Sequence, residues 1–139
     1  MTQHAPDAAA GHAVGWPAID ALHAECDRCV ADFAATPDSP AALAALVEHL
    51  GHHFQTEEAL MQASSFPPFG CHKREHDEAL AVVERVHEML VAGDVEVAQR
   101  LAAEFPHWFD AHAVGMDALL ADWLRAQPTA AGLAAETAA

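Results

Sequence analysis

Tyrosine is absent from the 139 residues, and lysine plus arginine number 6 against 21 aspartate plus glutamate. The formal net charge is therefore −15. A field of that sign repels nucleic-acid phosphates and anionic lipid, so neither is expected as a partner. Cysteine is scarce and odd in number, at three. No disulfide framework follows, and a reducing compartment, the cytoplasm, is expected. No apolar run approaches the ~18 residues of a membrane-spanning helix. Residues 1–14 carry neither a basic nor an apolar segment, so no secretory signal is expected. No stretch alternates as a strand would, and no internal repeat is visible.

Histidine is what the chain has in excess, with eleven copies. The length fits one domain, large enough to bury a core without covalent staples. Residues 1–15 read as a loose arm, 16–126 as a helical bundle and 127–139 as a disordered tail.

Four amphipathic helices follow from the spacing of apolar residues. Pro17 opens the first, with a core stripe of Trp16, Ile19, His23, Cys26, Val30 and Phe33. Ser39 is the expected N-cap of the second, which runs over about 40–62 with Leu43, Leu46, Val47, Leu50, His53, Phe54, Glu57, Leu60 and Met61 facing inward. The third spans about 70–92, its stripe running from His72 and His76 through Ala79, Leu80, Val83 and Val86 to Leu90. Gly93-Asp94 makes the next turn, with Asp94 as N-cap. The fourth helix carries Val97, Leu101, Phe105, Trp108, His112, Met116, Leu119 and Trp123, and Pro106 is expected to kink or split it. Short loops between four such helices predict an all-α, antiparallel up-down-up-down bundle.

The inward stripes carry groups that do not belong in an apolar core. His23, His53, Glu57, His72, His76 and His112 lie on them, and Asp117 follows His112 by five residues. A buried carboxylate without a partner is very costly, and a buried imidazole needs hydrogen bonds. At 1.5 Å per residue, His23 lies about 9 Å into its helix, and the His53/Glu57 pair about 10 Å before the end of the next. His72 and His76 begin the third helix at the same end, so one layer can hold all seven groups. Seven ligands are too many for one ion and few enough for two. With both carboxylates bridging, one ion takes three imidazoles and the other two. Imidazole mixed with carboxylate suits iron or manganese.

This set resembles the hemerythrin family, in particular its single-domain bacterial members. The family pattern appears as Asp20/His23, as His53-Phe54 with Glu57-Glu58 and Met61, as Pro67 with His72 and His76, and as Trp108 with His112 and Asp117. Val14-Gly15-Trp16-Pro17 resembles the family's approach to its first helix, and the likeness covers about residues 14–125. The resemblance implies two iron ions joined by an oxo or hydroxo bridge, binding O2 reversibly for transport, storage or delivery. It assigns His72, His76 and His112 to one iron, His23 and His53 to the other, and Glu57 and Asp117 to both. O2 would meet the two-histidine iron, in a pocket walled by Cys26, Phe54, Trp108, Phe109 and Ala113. Three of these depart from the family: Cys26 and Phe109 stand where leucine is usual, and Ala113 where isoleucine is usual. The smaller Ala113 predicts a path for water or anions that Phe109 partly refills. The expected protein is a monomer or weak oligomer and not an enzyme. The alternative is the same centre acting as a peroxidase or consuming nitric oxide, or serving to sense O2 or handle iron.

Other pairings have plainer explanations. Glu84-x-x-His87 and Glu104-x-x-His107 have the spacing of ferritin-like sites, but Pro106 interrupts the second, and both histidines sit off the core stripes. His4, His12, His49, His52, His87 and His107 are expected to be mostly solvated, and Glu58 to lie on a solvated face. Cys26-x-x-Cys29 has redox spacing, although within a helix it reads as two small apolar side chains. Asp20 reads as a first-turn acid or a support for a ligand histidine.

Overall fold

The computed structural model describes residues 11–138, with side chains as far as residue 135. Helix α1 spans Pro17–Ala35, α2 Pro40–Ala63, α3 Phe69–Val91 and α4 Val95–His112. A π-helical turn, Ala113–Asp117, leads into α5, Ala118–Arg125, and α6 covers Ala130–Ala138. No strand occurs among the described residues. Each long helix packs on the next, and α1 packs on α4, which closes the bundle.

Local chemistry sets the ends. Ser39 accepts the Ala42 N–H at 3.1 Å and Asp94 accepts the Val97 N–H at 3.2 Å, so both expected N-caps form. Helix α3 stops at Gly93, whose φ of +106° favours glycine. Gly15 has φ +87°, and a Cβ there would lie 2.5 Å from Arg125 Nη1. That guanidinium donates to the Val14 carbonyl at 2.6 Å and holds the chain before α1 against α5.

Two apolar clusters stack along the bundle. One contains Phe33, Leu43, Leu46, Leu50, Val83, Val86, Leu90, Phe105 and Phe109. The other contains Trp16, Ile19, Leu60, Met61, Phe66, Leu120, Leu124 and Leu133. On every long helix the candidate ligands fall where the chain passes from one cluster to the other, so a polar layer separates them.

Three expectations change. Helix α4 continues through Pro106, and the α-helical spacing breaks instead at Ala113–Asp117. There the Ala118 N–H reaches the Ala113 carbonyl, five residues back. The extra residue advances the inward register by one: Leu119 is 60% exposed, while Asp117, Leu120 and Leu124 are buried in place of Met116, Leu119 and Trp123. Five residues of regular α-helix would turn Asp117 about 140° away from His112, whereas one π turn returns it to the same face. The expected disordered tail contains α6, whose Leu133 is buried in the second cluster. The expected loose arm is anchored over residues 11–15 by hydrogen bonds to Asp20, His23 and Arg125, and its first ten residues, His4 among them, lie outside the described residues.

Candidate metal centre

All seven side chains named from the sequence meet in one buried layer. His23, His53, Glu57, His72, His76, His112 and Asp117 are each at most 2% exposed. They form two groups that share both carboxylates: His72, His76 and His112 on one side, His23 and His53 on the other.

Each carboxylate turns one oxygen to each group. Glu57 Oε2 lies 2.9 Å from His53 Nε2, and its Oε1 lies 3.0 Å from His76 Nε2. Asp117 Oδ2 lies 2.8 Å from His23 Nε2, and its Oδ1 lies 3.0 Å from His72 Nε2 and 3.2 Å from His112 Nε2. Helical geometry explains the first contact, because His53 and Glu57 are one turn apart on α2.

The donor set fits cations. The Nε2 atoms of His72 and His76 each lie 3.2 Å from His112 Nε2. His76 Nδ1–H donates to Glu58 and His112 Nδ1–H to Glu75, both at 2.9 Å, which leaves lone pairs on the inner nitrogens. Glu57 Oε1 and Asp117 Oδ1 are buried and receive no hydrogen bond. Carboxylate oxygens and imidazole nitrogens packed this closely need positive charge among them, as a metal ion or as protons on the imidazoles. The field agrees. Burial alone pulls the His23 imidazole down, but Asp117 and Glu57 overcome it and raise it to about 10. His72 is raised against its own burial to about 9 by the same carboxylates. Burial pushes Asp117 up, as does Glu57, yet contacts with His112, His23 and His72 bring it down to about 2. Glu57 is likewise held well below the usual carboxylate range, against burial, by the surrounding imidazoles.

Aromatic rings line the layer. Phe54 stacks on His76 at 4.1 Å with an interplanar angle of 5°, and Trp108 stacks on His112 at 4.7 Å and 13°. Trp108 thus packs on the three-histidine side, not on the wall expected for a two-histidine pocket. Phe109 stands edge-on to His23 at 5.2 Å and to His53 at 6.2 Å. Ala113 is buried and borders a cavity of about 190 Å³ with Gly11, His12, Val14, Val114 and Ala118. Cys26 is fully buried and its thiol is pushed upward by desolvation, which is the opposite of a reactive thiolate. Cys26 and Cys29 are both free.

Four residues outside the expected ligand set support it: His12, His49, Glu58 and Glu75. His12 was expected in solvent. Its carbonyl accepts His23 Nδ1–H at 2.6 Å, and its ring bridges Asp27 at 3.0 Å and Asp110 at 2.5 Å. That ring also packs on Phe109 at 4.6 Å. His49 was expected in solvent and is 5% exposed, with Nε2 2.9 Å from His53 Nδ1. Glu58 was assigned to a solvated face and instead supports His76, and Glu75 supports His112. Spacing carried a signal for three of them: Glu58 adjoins Glu57, Glu75 lies one residue before His76, and His49 lies one turn before His53. Nothing local marks His12. Asp20 accepts the Val14 N–H at 2.7 Å, so it fixes the arm, not a ligand. Glu84, Glu104 and His107 are exposed, and none joins a metal-competent group among the described residues.

The family model for the hemerythrin HHE cation binding domain matches residues 14–124. A bacteriohemerythrin of Ralstonia nicotianae is 40% identical over 114 residues, covering 80% of this chain and 82% of that protein. A bacteriohemerythrin of Methylococcus capsulatus is 32% identical over 84 residues, 60% of this chain and 64% of the relative. A myohemerythrin of Sipunculus nudus is 37% identical over 62 residues, 45% and 52% of the two chains. No solved structure matches significantly. With the family pattern spanning the bundle and its histidines and acids gathered in one layer, the chain belongs to the hemerythrin family.

Proposed function

We propose that this protein binds O2 reversibly at a carboxylate-bridged pair of iron ions, for transport, storage or local delivery. His72, His76 and His112 would hold one ion, His23 and His53 the other, with Glu57 and Asp117 shared. When bound, the pair supplies the reversible two-electron chemistry that O2 binding requires. The observation that carries the reading is the division of each carboxylate's oxygens between a three-imidazole and a two-imidazole group. The family membership and the relatives named bacteriohemerythrin and myohemerythrin support it.

The chain's own residues do the rest. Three imidazoles and two carboxylate oxygens surround one position, and two imidazoles with two carboxylate oxygens surround the other, so the second has more room for a small ligand. Phe109 covers that side with an apolar ring and excludes water, which favours release of O2 over oxidative loss. The segment around His12 closes the outer edge. No described helix is long and apolar enough to cross a membrane.

The test is optical. Protein loaded anaerobically with ferrous iron should colour in air, bleach under argon and recover over repeated cycles. Irreversible colouring, or steady consumption of peroxide or nitric oxide, would replace the carrier reading with an enzymatic one.

A further inference from the structure

The ligand histidines differ in what lies behind them. The outer nitrogens of His76 and His112 donate to carboxylates, that of His23 donates to a backbone carbonyl, and that of His72 is buried without a hydrogen-bond partner. His53 alone is backed by another imidazole, that of His49, with ring centroids 5.0 Å apart and planes at 74°. We propose that His49 is a positioning residue for the two-histidine ion: its Nε2 accepts the His53 Nδ1 proton, fixes that tautomer and aims His53 Nε2 at the metal. The proposal rests on the di-iron reading above.

Direction of the shared hydrogen bond carries the argument. Two neutral imidazoles can share one hydrogen bond in either of two ways. If His49 donates, His53 Nδ1 is the acceptor and its proton sits on Nε2, facing Glu57 Oε2 at 2.9 Å. That arrangement closes His53 to a metal. An ion on Nε2 needs the lone pair there, so the proton must move to Nδ1, where His49 Nε2 is the hydrogen-bonding partner at 2.9 Å. His49 then carries its own proton on Nδ1. That nitrogen is buried with no hydrogen-bond partner, and Glu25 Oε1, on a half-exposed side chain, lies 3.7 Å away. Buried donors left unmatched are rare and need a reason. The fully buried Cys26 thiol lies within 4.8 Å of a ring nitrogen of His49 and of His53, and a leucine at position 49 would serve packing without the orphaned nitrogen. The orphan is explained if the position is needed as an acceptor for His53.

A consequence follows for the order of metal loss. Carboxylates behind His76 and His112 make those imidazoles stronger donors than a neutral imidazole makes His53. The two-histidine ion is therefore the more weakly held, and His49 is what keeps it.

The experiment compares full-length wild type, His49→Leu and His49→Gln, each loaded anaerobically with ferrous iron and challenged with a chelator. Wild type should retain two ions. His49→Leu should hold one as before and bind the other about 10–100-fold more weakly, while its metal-free form melts no lower than wild type. His49→Gln supplies an amide oxygen and should keep both ions, with only one of the two iron Mössbauer doublets changed. Two tightly held ions in His49→Leu, or unchanged doublets in His49→Gln, would overturn the proposal and leave the di-iron reading standing. Fewer than two ions in wild type would overturn both.

Discussion

In the three-histidine half of the cluster two imidazoles are backed by acids and flat rings while His72 Nδ1 has no partner, whereas the two-histidine half is backed by neutral acceptors and the chain's own N-terminal segment. Glu58 and Glu75 hold His76 and His112, and Phe54 and Trp108 stack on the same two imidazoles. On the other side stand the His12 carbonyl, the His49 imidazole and the edge-on ring of Phe109. Charged acceptors make an imidazole a better donor, and stacked rings fix its plane. On the proposed di-iron reading, one half would hold an ion tightly and the other would leave it room to take a ligand.

The largest effect should come from removing what the halves share. Asp117→Asn keeps the volume but loses the charge that faces three imidazoles, and metal content should fall from two ions to below one per chain by elemental analysis. Retention of two ions would mean that the halves do not depend on a common bridge. Next in size is the charge difference itself. Glu58→Gln and Glu75→Gln together give the three-histidine half neutral acceptors like those of the other. Affinity for its ion should drop about 10–100-fold, and a redox titration should show a higher potential. An unchanged potential would break the comparison.

Protons report on the shared field. The folded value of about 10 for His23 lies above its unfolded 6.5, so its stabilising contribution is fully present below pH 6.5 and lost as pH rises through 10. Asp117 sits at about 2 against 3.8 unfolded, so its contribution is present above pH 3.8 and lost as pH falls through 2. His49 runs the other way: burial, with His53 beside it, lowers it to about 4, so its contribution is present above pH 6.5 and lost as pH falls through 4. The thermal midpoint of metal-free protein should therefore be highest near pH 6.5 and decline toward both pH 4 and pH 10. Loading with iron at pH 7 should also release the protons that His23 and His72 hold there, detectable in weak buffer. The smallest effect is expected from His12→Ala, which leaves both ions bound but loosens the segment over Phe109 and Ala113. Irreversible oxidation in air should quicken a few-fold, and an unchanged rate would show that this segment does not restrict access.

Most of the bundle could be read from apolar spacing, and the seven candidate ligands from their positions on those stripes. The register beyond His112 could not, because a strict α-helical period across Ala113–Asp117 places Leu119 in the core, whereas the π turn exposes it. The five-residue step from His112 to Asp117 was the available sign that the helix widens there. Supporting residues were legible only by adjacency to a ligand, as with Glu58 and His49. His12 was not legible at all, since its partners Asp27 and Asp110 are 15 and 98 residues away. The helix at Ala130–Ala138 was hidden by a composition of small residues, with Leu133 its one large apolar anchor.

Diffraction from iron-loaded crystals on either side of the iron absorption edge tests the central claim most directly. Two anomalous peaks are expected between Glu57 and Asp117, one beside His72, His76 and His112 and the other beside His23 and His53. A single peak, or peaks held by other side chains, would contradict it.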